Sequence, residues 1–154
     1  METSNFPDVP SNASMPASTV IPVLSYPDVP RAVSWLCSAF GFTERLRIGS
    51  HRVQLSIGGS ALVVAQSPSG LPDSASAGHS VMVRVGSADA HFRNAVSAGA
   101  QVLSEPITQP YGERQYSAQD PWGHVWVFSE TVANVEPSAW GGEFVAGNVA
   151  ATLR

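Results

Sequence analysis

The sequence predicts an α+β fold of two βαβββ modules, and three observations carry that expectation. A strand, a helix and three strands can be read over residues 20–66, and the same order restarts at His79. A turn-forming stretch, SPSGLPDSASAG at 67–78, separates the two copies. The second copy closes on a hairpin within residues 111–130, where Asp120-Pro121-Trp122-Gly123 supplies the proline and glycine of a four-residue turn and His124 to Phe128 is aromatic and β-branched.

The elements follow in order. Residues 1–19 are rich in Ser, Pro and Asn without a hydrophobic period, so they are expected to be a disordered tail. VIPVLSY at 20–26 reads as a strand whose Pro22 favours an edge or a strand start. Asp28 can cap the next helix, Pro30 fits its first turn, and Ala32, Trp35, Leu36, Ala39 and Phe40 recur at helical spacing before Gly41 stops it. Strands are expected at 44–48, 51–57 and 60–66, the last two joined at Gly58-Gly59. In the second copy, 79–85 is a strand and Ser87 a cap. The helix buries Phe92, Ala95 and Val96, Gly99 stops it, and strands follow at 101–103, 114–119 and 124–129, with a tail over 131–154. Matching Gly41 to Gly99 gives an offset of 58, and matching Gly59 to Gly123 gives 64, so the copies differ in a loop near Gln109 to Arg114.

Composition narrows the function. At 154 residues and 44% hydrophobic the chain can bury a core. With 13% charged residues and a net charge of -4 it has no basic stripe for phosphates, so nucleic acid is excluded as a partner. No apolar run approaches the ~20 residues of a membrane span. The lone Cys37 forms no framework of disulfides within the chain, and the first residues show neither the basic nor the apolar region of a secretory signal, which predicts a cytoplasmic protein. No GxSxG, P-loop, HExxH or GxGxxG pattern is present.

The module openings VIPVLSYPDVPRAVSWLCSAFGF and HSVMVRVGSADAHFRNAVSAGA, with the DPWGH turn, resemble the vicinal oxygen chelate superfamily of glyoxalase I, extradiol dioxygenases, and fosfomycin and bleomycin resistance proteins. The resemblance covers about residues 20–140 and implies curled mixed sheets that enclose a pocket, with a homodimer as the usual assembly. It also implies a divalent metal held by one residue from each of four strands. By position those residues are Ile21, Val63, His79 and Val127, of which only His79 can ligate a metal. The bleomycin-resistance branch, which sequesters a drug without metal or cofactor, is therefore the nearer analogue.

The expected function is binding of a small organic molecule, an antibiotic or metabolite, with no cofactor. The expected ligand-binding residues are Gln54, His79, Val81, Arg114, Gln115, Tyr116, Trp122 and Val127, and alternation requires that one of Arg114 and Gln115 face inward. The competing class is a metal-dependent lyase, isomerase or dioxygenase using His79 with Glu130 or Gln66. Trp126 and Phe128 read as core, His124 as a structural residue of the hairpin, Trp140 as an anchor for the tail, Cys37 as inert, and His51 and His91 as surface residues.

Overall fold

The computed structural model describes residues 9–68 and 78–145. Its elements run β1 (Val23–Tyr26), α1 (Val29–Phe40), β2 (Thr43–Ile48), β3 (Arg52–Ile57) and β4 (Ser60–Gln66), then β5 (Val81–Arg84), α2 (Ala88–Ser97), β6 (Gln101–Thr108), β7 (Glu113–Gln119) and β8 (Val125–Thr131). This is βαβββ twice. Each module forms its own four-stranded mixed sheet, ordered β1-β4-β3-β2 and β5-β8-β7-β6, with the first and last strands of each module parallel. Neither sheet closes on itself. Most of the separating stretch, 69–77, and the terminal segments 1–8 and 146–154 lie outside the described residues.

Local chemistry sets the helices. The Asp28 carboxylate accepts from the Arg31 N–H, Pro30 sits in the first turn, and Gly41 ends α1 at φ 84°, a left-handed conformation that glycine adopts without a Cβ clash. Ser87 caps α2 in the same way. The stripe that α2 turns inward is Ala88, His91, Phe92 and Ala95, spaced by three and four residues, so the expected burial of Val96 is corrected: it is exposed. His91, expected at the surface, is the polar member of that stripe and is half-buried.

The helices cover one face of each sheet, and those two covered faces merge into one core. Phe40, at the end of α1, packs 5.3 Å from Trp126 and 4.7 Å from Phe128 on β8, and Phe42 lies 5.5 Å from Trp126. Polar ties run beside the rings: Trp35 Nε1 donates to Ala98 O (2.8 Å), and Asn94 Nδ2 donates to Ser38 O and Ala39 O (2.9 and 3.0 Å). A second tie is the DPWGH turn. Asp120, buried, accepts from Tyr26 Oη (2.7 Å), Trp126 Nε1 (3.2 Å) and the N–H groups of Trp122 and His124 (3.0 and 3.1 Å), while His124 Nε2 donates to Ser25 O (2.8 Å). Burial, followed by the charge and hydrogen bond of Asp120, raises the Tyr26 pKa, so its hydroxyl stays protonated and donates.

Strand β6 continues five residues past the expected 101–103. Register shifts between Val102 and Ser104 and again before Ile107 break the period-two pattern on which a sequence reading depends, and its Pro106 is tolerated because β6 lies at the sheet edge.

Candidate functional site

The faces turned away from the helices are the candidate site, and strand register fixes their residues. On the first sheet Val23 pairs with Val63 and Gln54 with Val63, while Leu24, Val53, Leu55, Leu62 and Val64 belong to the core; Val23, Gln54 and Val63 therefore share the inner face. On the second sheet Met82 pairs with Val127, Arg84 with Ser129, and Gln115 with Ser129, opposite the buried Val83, Tyr116, Trp126 and Phe128.

The second inner face carries a directional set of hydrogen bonds. Tyr111 Oη donates to Gln115 Oε1 (2.8 Å), Gln115 Nε2 donates to Ser129 Oγ (3.0 Å), and Ser129 Oγ donates to Glu113 Oε1 (2.6 Å). Arg84 Nη2 donates to Thr131 Oγ1 (3.0 Å) beside them. Tyr111, Glu113, Gln115, Ser129 and Arg84, with Met82 and Trp140, line an open hollow of about 460 Å³. Its aromatic wall is Trp140 against Tyr111, ring centroids 5.6 Å apart, and Trp140 Nε1 donates to Val135 O. That wall depends on Gly112: at φ 85° its carbonyl accepts from Val132 N and Ala133 N, and a Cβ there would lie 2.0 Å from Ala133 O. The C-terminal segment is thereby drawn back over the β6–β7 turn.

The first inner face is covered in part, over Gln54 and Val63, while Val23 on β1 and Ile48 on β2 stay exposed. Part of the segment expected as a tail lies against it: Gln54 Nε2 donates to Ser14 O (2.8 Å), and Arg45 Nη2 donates to Met15 O (3.1 Å). Gln54 and Val63 are each only 3% exposed, whereas Met82 on the open face is 61% exposed.

Of the expected site residues, Gln54, Gln115 and Val127 face inward. The choice between Arg114 and Gln115 falls to Gln115, because Arg114 points to the helix side, where it forms an ion pair with Asp89 (3.0 Å) and not with Glu113 or Asp120. Tyr116 is buried on that same side against His91, and Trp122 packs edge-on against Tyr26 and Trp35. Val81 packs on the core and His79 lies exposed before β5 begins. Of these five departures, those of His79 and Val81 share a cause. The offset of 58 from the helix exits places Val81 opposite Val23, but α2 is two residues shorter than α1, and strand pairing matches Val23 with Met82, an offset of 59. A slip of one residue turns a strand's side chains to the other face.

By the observed register the inner residues paired with Val63 and Val127 are Val23 and Met82, two residues on from the expected Ile21 and three on from the expected His79. Three aliphatic chains and one thioether do not fit a divalent metal, which takes about three or four N, O or thiolate donors. The alternative donors are used elsewhere: Glu130 Oε1 accepts from Ala88 N at the start of α2, and Gln66 Nε2 donates to Pro27 O. Among the described residues no group of three or more His, Cys, Asp or Glu side chains is placed to hold a metal ion. Cys37 is unsuited to nucleophilic work, since burial and then the charge of Glu44 raise its pKa. Arg45, Met82, Arg84 and Glu113 stand at these inner faces without being singled out by the sequence. The alternation of β7 could have found Glu113, two residues before Gln115.

Comparison with known proteins places these features. Residues 19–128 match the model of the Glyoxalase/Bleomycin resistance protein/Dioxygenase superfamily. Among solved structures, TioX from Micromonospora sp. ML1 is 34% identical, covering 75% of this chain and 99% of its own, with a TM-score of 0.63. Two more distant structures share the fold: a glyoxalase-related enzyme from Fulvimarina pelagi (17% identity, 73% of this chain and 88% of that one, TM-score 0.58) and a family member from Burkholderia phytofirmans PsJN (17%, 71% and 94%, TM-score 0.61). No curated protein matches the chain.

Proposed function

Because the chain belongs to the Glyoxalase/Bleomycin resistance protein/Dioxygenase superfamily, we propose that it is a metal-free, bleomycin-resistance-like protein that binds a small organic molecule, an antibiotic or metabolite, on its inner sheet faces. The observation that carries this reading is the chemistry of the four inner positions Val23, Val63, Met82 and Val127, which offer a ligand apolar contact and offer a metal almost nothing. Around them the Tyr111–Gln115–Ser129–Glu113 set, Arg84 and the Trp140 ring supply a few fixed polar groups beside apolar walls, the usual make-up of a small-molecule site. A homodimer fits the same faces. Val23, Ile48, Met82 and Ile107 all expose apolar side chains there, and a second copy would cover them. The single cysteine is consistent with a cytoplasmic protein, and no described helix is long and apolar enough to cross a membrane.

The test is elemental mass spectrometry of the purified chain after incubation with nickel, zinc, manganese and ferrous iron, followed by a thermal-shift screen of antibiotics and metabolites. The expected result is no retained stoichiometric metal and stabilisation by an aromatic organic ligand that is reduced in Gln115→Ala. A retained metal that disappears in His79→Ala would overturn the reading in favour of a metal-dependent lyase, isomerase or dioxygenase.

A further inference from the structure

The polar groups over the first inner face point to how access to it is controlled. A register shift between Glu44 and Leu46 in β2 brings the Arg45 side chain beside Gln54, with Arg45 Nη1 hydrogen-bonded to Gln54 Oε1. The pair then holds three successive main-chain carbonyls of the N-terminal segment: Ala13 O and Met15 O from Arg45 Nη2 (3.3 and 3.1 Å), and Ser14 O from Gln54 Nε2 (2.8 Å). The segment is shaped to present them. Asn12 Oδ1 accepts from the N–H and the hydroxyl of Ser14 (2.9 Å each), Asn12 O accepts from Met15 N (3.0 Å), and Pro16 is buried while Ala13, Ser14 and Met15 are exposed.

Two features follow from this chemistry. Arg45 and Gln54 read oxygen acceptors rather than side chains, so any molecule with suitably placed carboxylate, sulfonate or amide oxygens can replace the segment. The segment also adds no strand to the sheet, so it can leave without unpairing β2, β3 or β4. Its departure exposes a buried glutamine amide, which an entering ligand must satisfy.

We propose that residues 12–16 are a built-in cover for the ligand site on the first sheet, held through Arg45 and Gln54 and displaced by ligands that offer oxygen acceptors to that pair. This rests on the small-molecule reading above and adds its regulation: the free-site affinity is lowered by the fraction of chains in which the cover is closed.

The test uses the full chain throughout. In 15N-labelled protein without ligand, the amides of Ser14 and Met15 are expected to show order parameters near those of the sheet, about 0.8, and to fall below about 0.6 in Arg45→Ala/Gln54→Ala. The probe for access is 8-anilinonaphthalene-1-sulfonate, an aromatic body with sulfonate oxygens. Asn12→Ala/Pro16→Ser, which loosens the cover, is expected to bind it about fivefold tighter than wild type with an unchanged far-ultraviolet spectrum, and adding Arg45→Ala should remove that gain. Mobile Ser14 and Met15 in the wild type would overturn the proposal, as would equal probe affinity in the two proteins or a gain that survives Arg45→Ala. The order parameters are read without ligand, so they fail or hold independently of whether the chain binds any antibiotic or metabolite.

Discussion

On the first sheet the inner face holds Gln54 and Val63 beneath a strap of the chain's own N-terminal residues; on the second, Met82, Arg84 and Gln115 stand open beside Tyr111 and Trp140. The modules share strand order and N-terminal helix caps, so the difference in cover comes from what each end of the chain does next. The N-terminal segment lies across its sheet, where Arg45 can bond its carbonyls, whereas the C-terminal segment folds back at Gly112 and forms a wall. A duplicated scaffold thus gives one partly covered and one open surface without any change in fold.

The comparison holds only while both modules keep one frame, and Asp120 is the strongest test of that frame. Asp120→Ala leaves the Tyr26 hydroxyl, the Trp126 indole and two main-chain N–H groups without their acceptor, so a loss of about 3–5 kcal/mol is expected in urea unfolding. A loss below about 1 kcal/mol would mean that the aromatic core alone sets the frame.

A second difference lies in the helices. Four residues after the caps, α1 has Ala32 and α2 has His91, whose Nε2–H donates to Phe40 O (3.0 Å) and whose Nδ1 accepts from the Tyr116 hydroxyl. Burial lowers the His91 pKa, outweighing the opposing effect of the Phe40 carbonyl, and burial also raises that of Tyr116, so the pair is neutral imidazole and phenol. Among the described residues no carboxylate bonds to the ring. Below the ordinary histidine pKa of about 6.5 the unfolded chain binds a proton that the folded chain refuses, so stability should fall as pH drops from there toward the lower folded pKa. Melting temperatures measured from pH 7.5 to 5 should show this decline, and in His91→Gln the slope should flatten.

Smaller effects distinguish the open face from the helix side of the same strand. Gln115→Ala should weaken ligand binding about tenfold in calorimetry while changing stability by about 1 kcal/mol, the ordinary net worth of part-buried hydrogen bonds such as its two. Arg114→Ala, one residue away, should leave ligand affinity unchanged. It removes a partly exposed ion pair with Asp89, worth about 0–1 kcal/mol in thermal unfolding, and an exposed hydrogen bond to Thr108.

The sequence by itself determined the two βαβββ modules, the caps at Asp28 and Ser87, the exit at Gly41, the DPWGH turn and the core positions Trp126 and Phe128. Each is written in short-range chemistry: a capping oxygen, a glycine free of a Cβ, a strict alternation of side chains. Tertiary structure decided the face of β5, where Val81, Met82 and Val83 are all apolar and alternation carries no sign, so that only pairing with β8 could choose Met82. It also decided the partners of His91, which lie 51 and 25 residues away, and the path of residues 12–16, whose composition has no hydrophobic period and whose anchors are main-chain carbonyls. Such contacts join groups distant in the chain or common to every residue, and no local pattern encodes them.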